Sequence, residues 1–222
     1  MIGNLSLKYE KLANSLLDII NKVGREKVPP GIIGFVGELL VLSRIYPIKE
    51  LSSEINYLGG RKPCDIEIVH GKTPVKILVK TNLYGKIEKE DFGVNEGFLW
   101  SDLRVEKLSG NPGKPKPICF HFVVLVGVRQ DRQPKFYVLT KDEFMKATDN
   151  KFGKSGWRQA KGTRVIALVE KKNEAIFDKL SEKKKGYVSN FSTSNSEIDC
   201  LFKKAEGQHG WEKIKGSLKA RQ

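Results

Sequence analysis

The run Phe120-His121-Phe122-Val123-Val124-Leu125-Val126-Gly127-Val128 constrains the fold more than any other segment. Its apolar residues follow one another without polar alternation, the pattern of a strand covered on both faces. Such a strand needs neighbouring strands and a cover of helices. After the turn Asp131-Arg132-Gln133-Pro134, Phe136 to Leu139 reads as a second strand that leads into a helix. Thr140 stands at the cap of that helix and Glu143 at the capping-box position. Upstream, Asp65 to Val69 and Val75 to Thr81 read as the arms of a hairpin around His70-Gly71-Lys72-Thr73. Phe98-Leu99-Trp100 marks the start of a further strand, while the Gly- and Pro-rich stretch from Ser109 to Pro117 reads as a loop that cannot continue a sheet.

Two helices precede these strands. Leu5, Leu12, Leu16, Leu17, Ile19, Ile20 and Val23 recur at helical spacing, which predicts a packing helix from Ser6 to Val23 that ends near Gly24. Val28-Pro29-Pro30-Gly31 breaks the chain, and a second helix is expected from Gly31 to Ile45, with Gly34 and Gly37 allowing a close neighbour. Asn56 to Lys62 reads as polar connection and Ser189 to Ser196 as a serine-rich linker. The expected organisation is a core over residues 1–150, completed by a basic extension over 151–222.

The chain has 222 residues and a formal net charge of +14, with a pI near 9.6. Such a surface attracts polyanions, so nucleic acid is the expected partner. Three cysteines, Cys64, Cys119 and Cys200, lie far apart without a Cys-x-x-Cys pair, and read as reduced thiols rather than zinc or redox sites. There is no signal-like start and no membrane-length apolar run, so a cytoplasmic location is expected.

Chemistry concentrates in three residues. Glu38 is the sole acidic residue between Pro29 and Pro47, and helical spacing sets it among Gly34, Phe35, Val41 and Leu42 on a face expected to be buried. An isolated charge there is costly without a partner. Asp65 opens one hairpin strand and Lys80 lies near the far end of the other. If the arms pair antiparallel, Asp65, Glu67, Lys76, Leu78 and Lys80 share a face. Two carboxylates and a lysine at one spot suit a hard divalent cation and water held against a phosphodiester. Each residue also has an ordinary reading: Glu38 in a hydrogen-bond network, Asp65 in a turn, Lys80 reaching from a sheet edge.

Gly34-Phe35-Val36-Gly37-Glu38, Pro63-Cys64-Asp65 and Leu78-Val79-Lys80-Thr81 together resemble the PD-(D/E)XK nuclease superfamily, with a weaker likeness across residues 31–146. The resemblance implies an α/β fold with a restriction-endonuclease-like mixed central sheet flanked by helices, here followed by a basic C-terminal extension. It implies a metal-dependent DNA endonuclease using Mg2+, for which Mn2+ can substitute. Asp65 would be the central metal ligand, Glu38 a second, Val79 a ligand through its carbonyl oxygen, and Lys80 the contact to the attacking water or scissile phosphate. Cys64 separates Pro63 from Asp65, a mild departure. Leu78 stands where the family places an acidic residue, and Glu67 is the candidate to supply the missing carboxylate.

Candidate phosphate contacts are Arg61 and Lys62 near Asp65, Lys114 and Lys116 in the proline-rich loop, and Arg158, Lys161 and Arg164 beyond it. Cutting both strands of a duplex needs two active sites or two encounters, so a two-fold homodimer is the expected assembly. The alternatives are a catalytically impaired nucleic-acid-binding protein that keeps the nuclease fold, and a structural protein of a ribonucleoprotein particle.

Overall fold

The computed structural model describes residues 2–48, 54–59, 64–69, 72–89, 93–104, 106–107, 116–117, 120–129, 133–148, 163–169, 189–190 and 196–220. Its first helix, α1 (Ile2–Val23), starts ahead of the expected Ser6 and stops at Gly24, which takes φ +92°. A Cβ built on Gly24 would lie 2.5 Å from a carboxylate oxygen of Glu26, a further reason for glycine there. Helix α2 (Pro30–Ile45) has Pro30 at its first turn, where a missing N–H costs nothing. Ala13 and Ile20 of α1 are buried, and α1 packs along α2. The Ser6 hydroxyl donates to the Ser43 carbonyl at 2.7 Å, and Tyr9 stacks on Tyr46 with ring centroids 5.3 Å apart. Leu5, Leu12 and Ile19 nevertheless remain exposed. A helix packed on one neighbour buries one stripe, and the expected packing role holds for the inner stripe alone.

Strands β1 (Glu54–Tyr57), β2 (Ile66–Val69) and β3 (Val75–Leu83) come next, then β4 (Gly85–Lys89), β5 (Gly93–Arg104), β6 (Glu106–Lys107) and β7 (Lys116–Pro117). The chain continues through β8 (Phe122–Val128), β9 (Lys135–Thr140), α3 (Lys141–Thr148), β10 (Thr163–Val169), β11 (Ser189–Asn190), α4 (Ser196–Ala205) and α5 (Gln208–Lys219). These elements divide between two compact units, the first made of Met1–Leu83, Cys119–Thr140 and Glu206–Gln222.

In the first unit a five-stranded mixed sheet runs in the order β1-β2-β3-β8-β9. β3 and β8 are parallel, and the other pairs are antiparallel. All seven residues of β8 are buried, as its unbroken apolar run requires. Ile66, Ile68, Val75, Ile77, Val79, Val124, Val126 and Val138 pack with Val36, Leu39 and Leu40 of α2 and with Ile214 and Leu218 of α5. Each such side chain contributes about 1.5–3 kcal/mol by leaving water. α5 is tied to β9, since the Gly207 N–H donates to the Phe136 carbonyl at 3.1 Å and Trp211 lies 5.6 Å from the Phe136 ring. Trp211 thus packs, partly buried, against the core.

The second unit contains Tyr84–Ile118 and Lys141–Ala205, with a four-stranded sheet in the order β11-β10-β5-β4. Here sequence reading found least. β5 spans twelve residues rather than a short start at Phe98, because Asn95, Glu96, Ser101 and Asp102 dilute the apolar signal while ladders to β4 and β10 supply the pairing. Phe98 and Trp100 are buried and stack 5.4 Å apart. Two local expectations are corrected. Lys116 and Pro117, expected in a loop, form β7 against β6, where Pro117 stands at an edge that tolerates a missing N–H. Ser189 and Asn190, expected in a linker, pair with β10. No helix among the described residues is long and apolar enough to cross a membrane.

Candidate active site

The hairpin register places Glu67 opposite Lys76 and Ile66 opposite Ile77. Ile66 and Ile68 face the core, so strand alternation turns Glu67 to the other face, together with Lys76, Leu78 and Lys80 of β3. Asp65 stands immediately before β2, where its N–H donates to the Ile77 carbonyl at 3.0 Å and its own carbonyl accepts the Leu58 N–H at 2.9 Å. β2 pairs with β3 no further than Ile77. At the next bonding position the Asp65 carboxylate replaces a strand: its Oδ2 accepts the Val79 N–H at 2.6 Å. Asp65 is 7% exposed. Burial pushes its carboxyl above the usual range, against the Val79 N–H and the Lys80 ammonium, which both favour the charged form.

Glu38 arrives from α2, which packs on β3. Contact is close because residue 37 is glycine: a Cβ there would fall 1.6 Å from the Thr81 hydroxyl oxygen and 2.8 Å from its Cβ. That approach brings Glu38, the next residue, to the strand carrying Lys80. The Glu38 carboxyl is pushed above its usual range, first by burial and further by the Asp65 charge, while the Tyr57 hydrogen bond and Lys80 pull the other way. Glu38, Asp65 and Lys80 therefore share one electrostatic neighbourhood. The expectation of a buried face needs correction, since Glu38 is half-buried and Phe35, one turn away, is 36% exposed. Only the Val41 and Leu42 end of that face is fully covered.

Sequence reading missed Tyr57. It lies on β1 opposite Ile66, its hydroxyl donates to Glu38 Oε2, and its ring sits 6.2 Å from that of Phe35. Burial, the Glu38 carboxylate and the Asp65 charge all push the phenol well above its usual value, so it remains a donor. The four-residue strand that presents it begins in a segment too polar and too short to announce itself.

The donors available to a cation are the carboxylates of Glu38 and Asp65, with the Val79 carbonyl on the strand edge that meets Asp65. Strand geometry sends a residue's N–H and C=O to the same edge. Glu67 stands opposite Lys76, with its carboxylate 3.7 Å from the Lys76 ammonium. Among the described residues no group of three or more His, Cys, Asp and Glu side chains is arranged to hold a metal ion. Leu78 is buried, 8% exposed, on the strand face of Lys80. Among the phosphate-contact candidates, Lys116 lies on β7 and Arg164 on β10, whereas Arg61, Lys62, Lys114, Arg158 and Lys161 fall outside the described residues. Cys64 is buried and Cys200 is exposed, and neither is in a disulfide.

No family model matches the sequence, and no curated protein matches it. Among solved structures the fold is similar to that of a bacterial homing endonuclease, I-Ssp6803I, with a TM-score of 0.38 and 20% identity over 70% of this chain and 86% of the other.

Proposed function

We propose that this protein is a metal-dependent endonuclease of the PD-(D/E)XK kind, with a restriction-endonuclease-like core, acting on DNA. The reading rests most on one observation: Asp65, locked to the Val79 N–H at 2.6 Å, shares its electrostatic surroundings with Glu38 and Lys80. The donor set fits Mg2+, or Mn2+ in its place, because hard cations with few protein ligands keep several waters and take carboxylate and carbonyl oxygens. Burial opposes ionisation of both carboxyls, and the Asp65 charge further opposes that of Glu38, a conflict that a cation relieves. When bound, such a cation supplies positive charge to the phosphate and lowers the pKa of water.

The chain's own groups have distinct tasks. Asp65 Oδ2 is engaged by Val79, which fixes the carboxylate plane and leaves the second oxygen for ligation. Tyr57 donates to one oxygen of Glu38 and orients the other. Lys80 offers ammonium protons to the attacking water or to a non-bridging phosphate oxygen, opposing the charge that builds in the transition state. Arrangement in advance, rather than any single contact, is what such a site contributes.

A second reading, a nucleic-acid-binding relative with impaired catalysis, draws support from Leu78, which puts a buried apolar side chain where the family carries a ligand. Supercoiled plasmid incubated with Mg2+ or with EDTA separates the two: the nuclease reading expects nicked or linear product in Mg2+ alone, and binding without product favours the second.

A further inference from the structure

We infer that the cleft beside the open edge of β3 is a phosphodiester subsite in which Arg25 contacts a phosphate flanking the one that is cut. Past Ile77 no strand among the described residues pairs with β3 on the β2 side. Val79, Thr81 and Leu83 turn their backbone groups to that edge by strand alternation. At its near end the Asp65 carboxylate takes the Val79 N–H. At its far end Arg25, in the short 3-10 turn Arg25–Lys27 between α1 and α2, donates from Nη1 to the Leu83 carbonyl at 3.0 Å.

The cavity there measures about 480 Å³ and is lined by Arg25, Glu26, Val28, Ile33, Thr81 and Asn82, among others. It adjoins the candidate site along the strand, since Thr81 follows Lys80, and Leu83 lies about 10 Å beyond Lys80 at strand rise.

One feature of the lining suits an anionic ligand with oxygen acceptors. Arg25 is exposed, and its guanidinium is held at the cavity by the neutral Leu83 carbonyl. Its planar fork keeps further N–H donors for a phosphate. Glu26 opposes an anion, but its carboxylate folds back against Gly24.

The inference rests on the nuclease reading for the identity of its ligand, and it is tested without catalysis. Binding of a duplex oligonucleotide is measured in EDTA at several salt concentrations for the wild-type chain, Arg25→Gln, Arg25→Lys and Glu26→Gln, with thermal melting to establish folding. Arg25→Gln is expected to bind about tenfold more weakly, with a log–log salt slope shallower by about 0.9. Arg25→Lys should keep the slope, and Glu26→Gln should bind more tightly. A wild-type slope in Arg25→Gln overturns the inference, as does equal weakening of Arg25→Lys, which would mark a structural bond to Leu83. Should Arg25→Gln fail to fold, unchanged binding by Glu26→Gln overturns it instead. Mg2+-dependent cutting with no Arg25 effect sinks this inference alone, and an Arg25 effect without cutting sinks only the nuclease reading.

Discussion

Asp65 is almost removed from water, yet its carboxylate is held by a backbone N–H at 2.6 Å. Glu38 and Asp65 were legible because each is an acid in apolar surroundings, and Lys80 because it ends an apolar strand. Tyr57 was not, since a tyrosine in a polar stretch carries no mark of the carboxylate it meets across the fold. Replacing it by Phe removes the donor while keeping the ring. We expect kcat to fall about tenfold, roughly 1.4 kcal/mol of transition-state stabilisation, with KM for DNA little changed. Steady-state cleavage rates check this, and an equal rise in KM would mean the ring binds substrate instead.

The raised Glu38 carboxyl has a consequence for stability without metal. A folded-state pKa above the unfolded one gives stability that is present below the unfolded value and lost as pH rises through the folded value. At neutral pH in EDTA the ionised Glu38 is therefore a burden. Glu38→Gln should relieve it by no more than about 1 kcal/mol after solvent screening, a gain of about 2–4 °C in Tm. The gain should shrink as pH falls towards the ordinary carboxylate range. Melting curves of both proteins across that range decide it, and a Tm gain that grows on acidification contradicts the assignment.

Between elements, the contact that matters most is that of α2 with β3. Helical and strand periodicities made both elements readable, and the apolar run of β8 fixed a covered central strand. Their mutual approach was legible only as a glycine that permits it. Gly37→Ala would drive a methyl into Thr81. We expect a loss of about 1–3 kcal/mol by chemical denaturation. Thr81→Ala in the same chain should restore part of it, because the clashing hydroxyl and methyl are gone while the Cβ, at 2.8 Å, stays. Strictly additive losses would show that the two residues do not oppose each other. The strands of the second unit were illegible for the opposite reason: β4 and β5 hold together through ladder pairing, which leaves little trace in hydropathy.

At the scale of the whole molecule, a net charge of +14 favours association with polyanions and leaves their identity to the site. Leu5, Leu12, Ile19 and Val23 form an exposed apolar stripe along α1. The homodimer expected from the sequence would place its contact on this stripe. The double change Leu12→Glu and Ile19→Glu should then give monomers by light scattering and convert double-strand cutting to nicking. A wild-type chain that is already monomeric at assay concentration would remove that assignment.

The central claim is that Glu38, Asp65 and Lys80 act as one cation-dependent hydrolytic site. Its most direct test is plasmid cleavage by the wild-type, Asp65→Ala and Lys80→Ala proteins in Mg2+ and in EDTA, beside DNA binding by each. Cutting is expected from the wild type in Mg2+ alone, with both variants inactive yet still bound to DNA. Undiminished cutting by either variant, or wild-type cutting in EDTA, would contradict it.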